Sequence, residues 1–168
     1  TADGLVNPAF KDAVINSKFA GLRVMTSETL ATFTAGPNAD RVGAIVGTPD
    51  PAYVTAKDTM TQSITINGLA ATGTVKAGEI IEVTGRFYLN QSTRQQILNA
   101  GSGVKWRAVV TADAAISGNA VTVIVAGPAI KESTEQYDTI DVGLTAGDVV
   151  TFLNTDDAIT QPNMFYHK

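Results

Sequence analysis

The stretch VKAGEIIEV at residues 75–83 decides the fold of this chain, because its pattern returns as LTAGDVVTF at residues 144–152. Each copy reads apolar, polar, Ala, Gly, acid, two apolar residues, polar, apolar. The Ala-Gly step is typical of a tight turn in which glycine has a positive φ, here Gly78 and Gly147, and the residues after it are typical of a strand. Two such copies predict two equivalent corners of a small barrel or sandwich.

Further strands are predicted on both sides of this repeat. Residues 63–66 alternate before an Asn-Gly turn, and residues 104–111 and 120–126 flank a turn at residues 116–119. Short helices are predicted at residues 8–15 and at residues 92–101, because both begin with capping residues and the second ends in glycine. The pattern as a whole predicts an all-β protein with short helices.

Glycine and proline are frequent in the segment at residues 36–58, which predicts a long loop held away from the core. Charges of both signs on such a loop can contact a neighbouring subunit, since symmetry repeats each weak ion pair. The alternative is a surface loop without a contact. The candidate contact residues are Asp40, Arg41, Asp50, Lys57 and Asp58.

The composition excludes several classes of function. The chain has 168 residues, which suit one domain with connecting segments, and it has no cysteine for disulfides or thiolate zinc sites. Its net charge is -4 and its Lys and Arg residues do not cluster, so direct binding of nucleic acid is not expected. The apolar runs are too short to span a membrane and no signal peptide is visible. Because the chain starts at Thr1, we expect it to be part of a longer protein.

No pattern in the sequence predicts catalysis. His167 is the single histidine, and it has no second histidine or cysteine with which to share a metal or a reaction. Phosphate-loop, dinucleotide-binding and serine-nucleophile motifs are absent from the sequence. The pair Asp156-Asp157 lacks the pattern of a calcium loop and is predicted to lie in a solvated turn. We therefore predict that the chain is not an enzyme and holds no metal or cofactor.

Two features allow two interpretations each. Trp106 is either an anchor of the core, which is the favoured interpretation because large aromatic side chains dominate cores, or an exposed platform for a carbohydrate. The acids between residues 131 and 141 are either an exposed connection between strands, which is favoured, or a patch for a partner. These acids are Glu132, Glu135, Asp138 and Asp141.

Four stretches resemble the coat (major capsid) proteins of short-tailed double-stranded-DNA bacteriophages of the Salmonella type. They are FAGLRVMTS at 19–27, TVKAGEIIEVTG at 74–85, RAVVTAD at 107–113 with VTV at 121–123, and QPNMFYHK at 161–168. The resemblance implies a six-stranded antiparallel β-barrel inserted into a capsid subunit. Residues 1–35 would then connect from the capsid core, residues 36–154 would form the inserted domain with its charged loop at 37–58, and residues 155–168 would return to the core.

The resemblance also implies a structural function in a phage or prophage capsid. The inserted domain would support subunit folding and capsid assembly, and its charged loop would contact a neighbouring capsomer. The implied partners are other copies of the coat protein and a scaffolding protein, without direct binding of nucleic acid or membrane. The implied location is the virion, assembled in the cytoplasm of the bacterial host.

A competing hypothesis is a binding module, such as a β-sandwich adhesin, a tail-fibre domain or a carbohydrate-binding module. A capsid insertion predicts that both ends of the domain lie close together, because both lead back to one host domain. An adhesin instead predicts an exposed aromatic platform. A hydrolase is a third possibility, but no motif supports it.

Overall fold

A computed structural model describes residues 18–19, 22–23, 32–134 and 136–160. The chain divides into two compact units, one formed by Thr1–Thr32 with Gln161–Lys168 and the other by Phe33–Thr160, which we call the barrel unit. In the first unit, strands β1 (Lys18–Phe19) and β2 (Leu22–Arg23) pair antiparallel. The predicted helix at residues 8–15 and His167 lie outside the described residues. The domain boundaries predicted from the sequence stay a prediction.

The barrel unit consists almost entirely of strands. Its one described helix is a single turn. In chain order the elements are β3 (Phe33–Thr34), β4 (Val42–Ile45), α1 (Tyr53–Ala56), β5 (Thr61–Asn67), β6 (Thr72–Val75), β7 (Ile80–Phe87), β8 (Leu98–Asn99), β9 (Ser102–Gly103), β10 (Lys105–Val110), β11 (Ala114–Ser117), β12 (Ala120–Ala126), β13 (Val149–Phe152) and β14 (Ile159–Thr160).

Six antiparallel strands close into a barrel in the order β10-β7-β13-β4-β5-β12. The ring closes where β12 returns to β10, with Val109 opposite Ala126 and Val110 opposite Val125. Strands β11 and β6 extend the sheet beyond β12. Closure leaves each of these six strands paired on both sides, so the ring itself has no free edge. The predicted six-stranded antiparallel barrel is confirmed.

Strict alternation along the strands fills the barrel interior. Every second residue of β10 and of β12 is buried, and the residues between them are exposed or partly exposed. Trp106 on β10 is 0% exposed, so its prediction as a core anchor is confirmed and the carbohydrate platform is wrong. The other large interior side chains are mainly β-branched, which suits a pleated surface. They include Ile64, Ile66, Ile81, Val83, Val123, Val125 and Val150.

The repeated stretch forms a local twofold arrangement within the barrel. Strands β7 and β13 are antiparallel neighbours, with Ile81 opposite Phe152 and Val83 opposite Val150. Ile81 in the first copy corresponds to Val150 in the second, and Val83 corresponds to Phe152, so exchanging the copies maps this pairing onto itself. The two turns that precede these strands therefore lie at opposite ends of the barrel.

The segment at residues 36–58 is not one long loop, and that prediction was wrong. Its residues Val42–Ile45 form β4, a barrel strand between β13 and β5, and Tyr53–Ala56 form α1. Gly43 misled the prediction, because it lies within β4 rather than in a turn. A Cβ atom at Gly43 would lie 2.5 Å from the carbonyl oxygen of Asn67, so glycine permits close packing of the backbone there.

The helix predicted at residues 92–101 was also wrong. These residues form a turn and the hairpin of β8 and β9. Arg94 and Ala100 have φ values of 59° and 49°, which a right-handed helix does not contain. The side-chain oxygen of Asn90 accepts the backbone N–H groups of Ser92 and Thr93 at 2.9 and 3.2 Å, so local hydrogen bonds close a turn instead of a helix.

Both turn glycines lie in the left-handed region, with φ of 98° at Gly78 and 89° at Gly147. We expect valine at either position to lower the free energy of unfolding by about 1–3 kcal/mol, because a β-branched residue is strained there. Gly78→Val should cost more, since a Cβ at Gly78 would lie 2.9 Å from the Phe33 ring, whereas Gly147 faces open space. Urea denaturation measures the effect, with the adjacent Ala146→Val as control. Equal midpoints for all three variants would contradict the role of these turns.

Candidate functional site

The five candidate contact residues fall into two groups. Arg41 and Asp50 contact other parts of the barrel unit through their side chains. Asp40, Lys57 and Asp58 are exposed, and the last two form a loose pair with 3.8 Å between Lys57 Nζ and Asp58 Oδ1. The structure therefore does not bring the five charges together into one surface.

Arg41 belongs to a buried network next to the start of β4. Its Nη1 lies 2.5 Å from Glu79 Oε2, and the two side chains are 13% and 0% exposed. The other carboxylate oxygen of Glu79 accepts the backbone N–H groups of Gly36 and Lys76, both at 2.8 Å. Arg41 thus neutralises the carboxylate that closes the turn before β7. Sequence reasoning missed Glu79, because an acid beside a turn glycine is usually exposed.

The second copy of the repeat contains a matching pair. Asp148 stands where Glu79 stands in the first copy, and its Oδ2 accepts the backbone N–H of Thr145 at 2.8 Å. Arg86 Nη2 lies 2.6 Å from the same Oδ2, and both side chains are 14% exposed. Each turn is therefore closed by an acid that pairs with an arginine. The acid after Ala-Gly in both copies was the available signal.

Asp50 and α1 are attached to the connection between β12 and β13. Asp50 Oδ1 accepts the backbone N–H of Lys131 at 3.1 Å, and Glu132 Oε1 accepts the backbone N–H of Tyr53 at 2.7 Å. The rings of Tyr53 and Tyr137 stack with their centroids 4.0 Å apart and 13° between their planes. The base of the charged segment is therefore attached to its own unit.

The acids of this connection hold it in place. Asp138 is 1% exposed and accepts hydrogen bonds from Lys131 Nζ at 2.5 Å and from the backbone N–H of Glu132 at 2.7 Å. Asp141 Oδ1 accepts the backbone N–H of Phe87 at 2.9 Å. The interpretation as an exposed connection is wrong for Asp138, because a carboxylate can be buried where cations and N–H groups surround it. Glu135 lies outside the described residues.

Burial raises the pKa of the Asp50 carboxyl, and the nearby carboxylates of Asp138 and Glu132 raise it as well, while the N–H of Lys131 acts in the opposite direction. A raised pKa means that the folded protein binds this proton more readily than the unfolded chain. The contribution of Asp50 to folding therefore becomes more favourable as the pH falls through its folded pKa.

A cluster of three charges lies on the outer wall of β7 and β10. Glu82 Oε1 accepts a hydrogen bond from Lys105 Nζ at 2.7 Å, and Glu82 Oε2 lies 2.8 Å from Arg107 Nη2. Burial raises the pKa of Glu82, but the hydrogen bonds from Lys105 and Arg107 outweigh it, so the pKa of Glu82 lies below its ordinary value of 4.5.

The described part of the chain contains no group of three or more His, Asp or Glu side chains placed to hold a metal ion. Asp156 Oδ1 accepts the backbone N–H of Asn38 at 2.6 Å, and Asp157 has a φ of 47°, which is typical of a turn. Among the described residues, no helix combines the length and the hydropathy needed to cross a membrane.

The two ends of the barrel unit leave it side by side. β3 pairs with β14, with Phe33 opposite Thr160 and Thr34 opposite Ile159. A domain inserted into another domain requires this arrangement, because both of its ends lead back to the same host. A closed barrel with adjacent ends and buried charges that hold turns defines the class as a structural inserted domain.

The family follows from sequence comparison. All of residues 1–168 match the family model described as P22 coat protein, gene protein 5, so the chain belongs to the P22 coat protein family. The chain is 33% identical over 174 residues to the major capsid protein of Acyrthosiphon pisum secondary endosymbiont phage 1, a match that covers 99% of this chain and 40% of that protein. The chain therefore spans about two fifths of the length of this relative.

Among solved structures, the CUS-3 coat protein I-domain is similar, with a TM-score of 0.46 and 19% identity over 69% of this chain and 98% of that one. Family membership confirms the predicted identity as the inserted-domain region of a phage coat protein.

We expect Arg41→Ala to lower the free energy of unfolding by about 3–5 kcal/mol, because it leaves the carboxylate of Glu79 buried without a counter-ion. The matched control is Lys57→Ala in the same segment, which should change stability by less than about 0.5 kcal/mol, since Lys57 is exposed. Urea denaturation compares the two variants. Similar midpoints would show that Arg41 has no role in holding the turn.

Glu82→Gln should reduce stability at pH 7 by about 1 kcal/mol or less, because Lys105 and Arg107 are half exposed and solvent screens the pairs. The lowered pKa of Glu82 means that its contribution is present above pH 4.5 and is lost as the pH falls through the folded pKa. The difference from the parent should therefore shrink between pH 5 and about pH 3. Thermal melts across this range test it, with Thr84→Gln on the same strand as control. A difference that does not depend on pH would rule out the charge effect.

Proposed function

We propose that the barrel unit is the structural domain of a phage major capsid protein that supports folding of the subunit and assembly of the shell. The observation that carries the proposal is the pairing of β3 with β14, in a chain that belongs to a coat protein family along its whole length. The proposed location is the virion, with assembly in the bacterial cytoplasm.

A physical mechanism supports the folding role. When the barrel folds, residues 33 and 160 are brought together, so the host domain no longer has to close a flexible loop of that length. The entropic cost of closing a loop of roughly 130 residues grows as (3/2)RT ln n and amounts to about 4 kcal/mol. A barrel that folds early would therefore lower the barrier for the segments on both sides of it.

The proposed contact with a neighbouring capsomer rests on the exposed charges of the segment at residues 37–58. The side chains of Lys57 and Asp58 are 48% and 85% exposed, and Val54 on α1 is 72% exposed. Because the base of this segment is attached to the β12–β13 connection, its charges have a defined position for other copies of the coat protein or for a scaffolding protein. Arg41 and Asp50 are excluded from this contact set, since they bind within the barrel unit.

In the full-length coat protein, we expect the triple variant Asp40→Asn, Lys57→Gln, Asp58→Asn to fold normally and to assemble abnormally. Exposed charges add little to the stability of one subunit, but symmetry repeats each lost contact around the shell. Electron microscopy should reveal tubes, aberrant particles or fragile shells, and high salt should partly reproduce the defect.

The matched control removes the same charges from other exposed positions through Lys76→Gln, Asp113→Asn and Asp157→Asn. Normal shells from the first variant would refute the proposed contact. A large loss of stability in that variant would instead place these charges within the fold of the subunit.

A further inference from the structure

Charges on the outer surface of the barrel are confined to one side. Glu82 on β7 and Lys105 and Arg107 on β10 alternate with buried residues and point outwards. The outward positions of β13, β4, β5 and β12 carry only Val, Ile, Ala, Ser, Thr and Asn. These four strands are consecutive in the barrel, and we call their outer face the uncharged wall.

The uncharged wall also exposes large aliphatic side chains. Val42, Val149 and Ile124 are 54%, 43% and 46% exposed, and Val46 and Leu153, just beyond β4 and β13, are 44% and 42% exposed. Val149 lies opposite Ala44 on the neighbouring strand, so Val42 is its diagonal neighbour across the two strands. Contiguous apolar surface of this kind marks a contact site on a soluble protein, and charged residues normally cover surfaces that stay in water.

We propose that the uncharged wall docks against the capsid domain of the same subunit, the part of the coat protein into which the barrel is inserted. This inference rests on the proposed function. The position of the wall favours this occupant. Val42 follows β3 and Leu153 precedes β14, so the aliphatic end of the wall adjoins the paired strands through which the barrel joins its host.

The size of the wall favours the same occupant. Four strands about 4.8 Å apart, with about five residues each at roughly 3.3 Å, give a face of roughly 300–400 Å². A stable interface between free partners buries about 800 Å² on each side, whereas contacts between domains of one chain need only about 600–1,500 Å² in total. A small contact is sufficient where the linker keeps the partner at a high effective concentration.

The test uses thiol reactivity, because the chain has no cysteine of its own. Ser63→Cys places a thiol on β5 within the uncharged wall, and Ser102→Cys places one on β9 as the matched control, since both serines are exposed in the barrel unit. The unassembled full-length coat protein is alkylated with N-ethylmaleimide in buffer and in urea, and mass spectrometry of the peptides gives the rate at each site. Ile124→Cys on β12 is a second probe of the wall.

We expect the wall thiols to react at least tenfold more slowly in the native subunit than in urea, and the Ser102→Cys thiol to react at similar rates in both. Wall thiols that react freely in the unassembled subunit and become protected only in shells would overturn the proposal in favour of a neighbouring copy. Wall thiols that react freely in both states would overturn docking altogether. The readout does not require shells, so its failure is distinguishable from a failure of the proposed assembly function.

Discussion

The buried pairing of a carboxylate with an arginine is the interaction on which the barrel depends, and the chain uses it twice. Removing a carboxylate from water is costly unless hydrogen bonds and a counter-charge replace the water. Glu79 receives two backbone N–H groups and the guanidinium of Arg41, and Asp148 receives a backbone N–H and the guanidinium of Arg86. Since β7 and β13 start from these turns, the pairs fix the ends of two neighbouring strands.

The same segment that contains Arg41 also contains the charges left over for assembly. Its first part contributes β4 to the barrel wall, and its middle is attached to the β12–β13 connection through Asp50 and the stacked rings of Tyr53 and Tyr137. Only the remaining charges face solvent. A surface ion pair is weak in isolation, so its value to a shell depends on a rigid support that presents it in the same way in every subunit.

The parts of the fold that could be predicted are those specified by local patterns. The repeated Ala-Gly turns, the alternation around Trp106 and the hairpin before β12 follow from periodicity and turn chemistry, which act over a few residues. β4 could not be predicted, because Gly43 reads as a loop residue until the backbone of Asn67 is seen packed against it. The helix expected after Asn90 failed for a related reason, since capping residues close turns as readily as they begin helices.

The sequence by itself determined that this chain is β-rich, lacks cysteine, has no catalytic motif and resembles phage coat proteins through its repeated turns. Only the tertiary structure decided which charges are structural. Arg41 and Glu79 are 38 residues apart along the chain, and nothing local to either distinguishes a buried partner from an exposed charge. Barrel closure brings them together and excludes water, because the register of β4, β13 and β7 is set by long-range pairing that no short stretch of sequence contains.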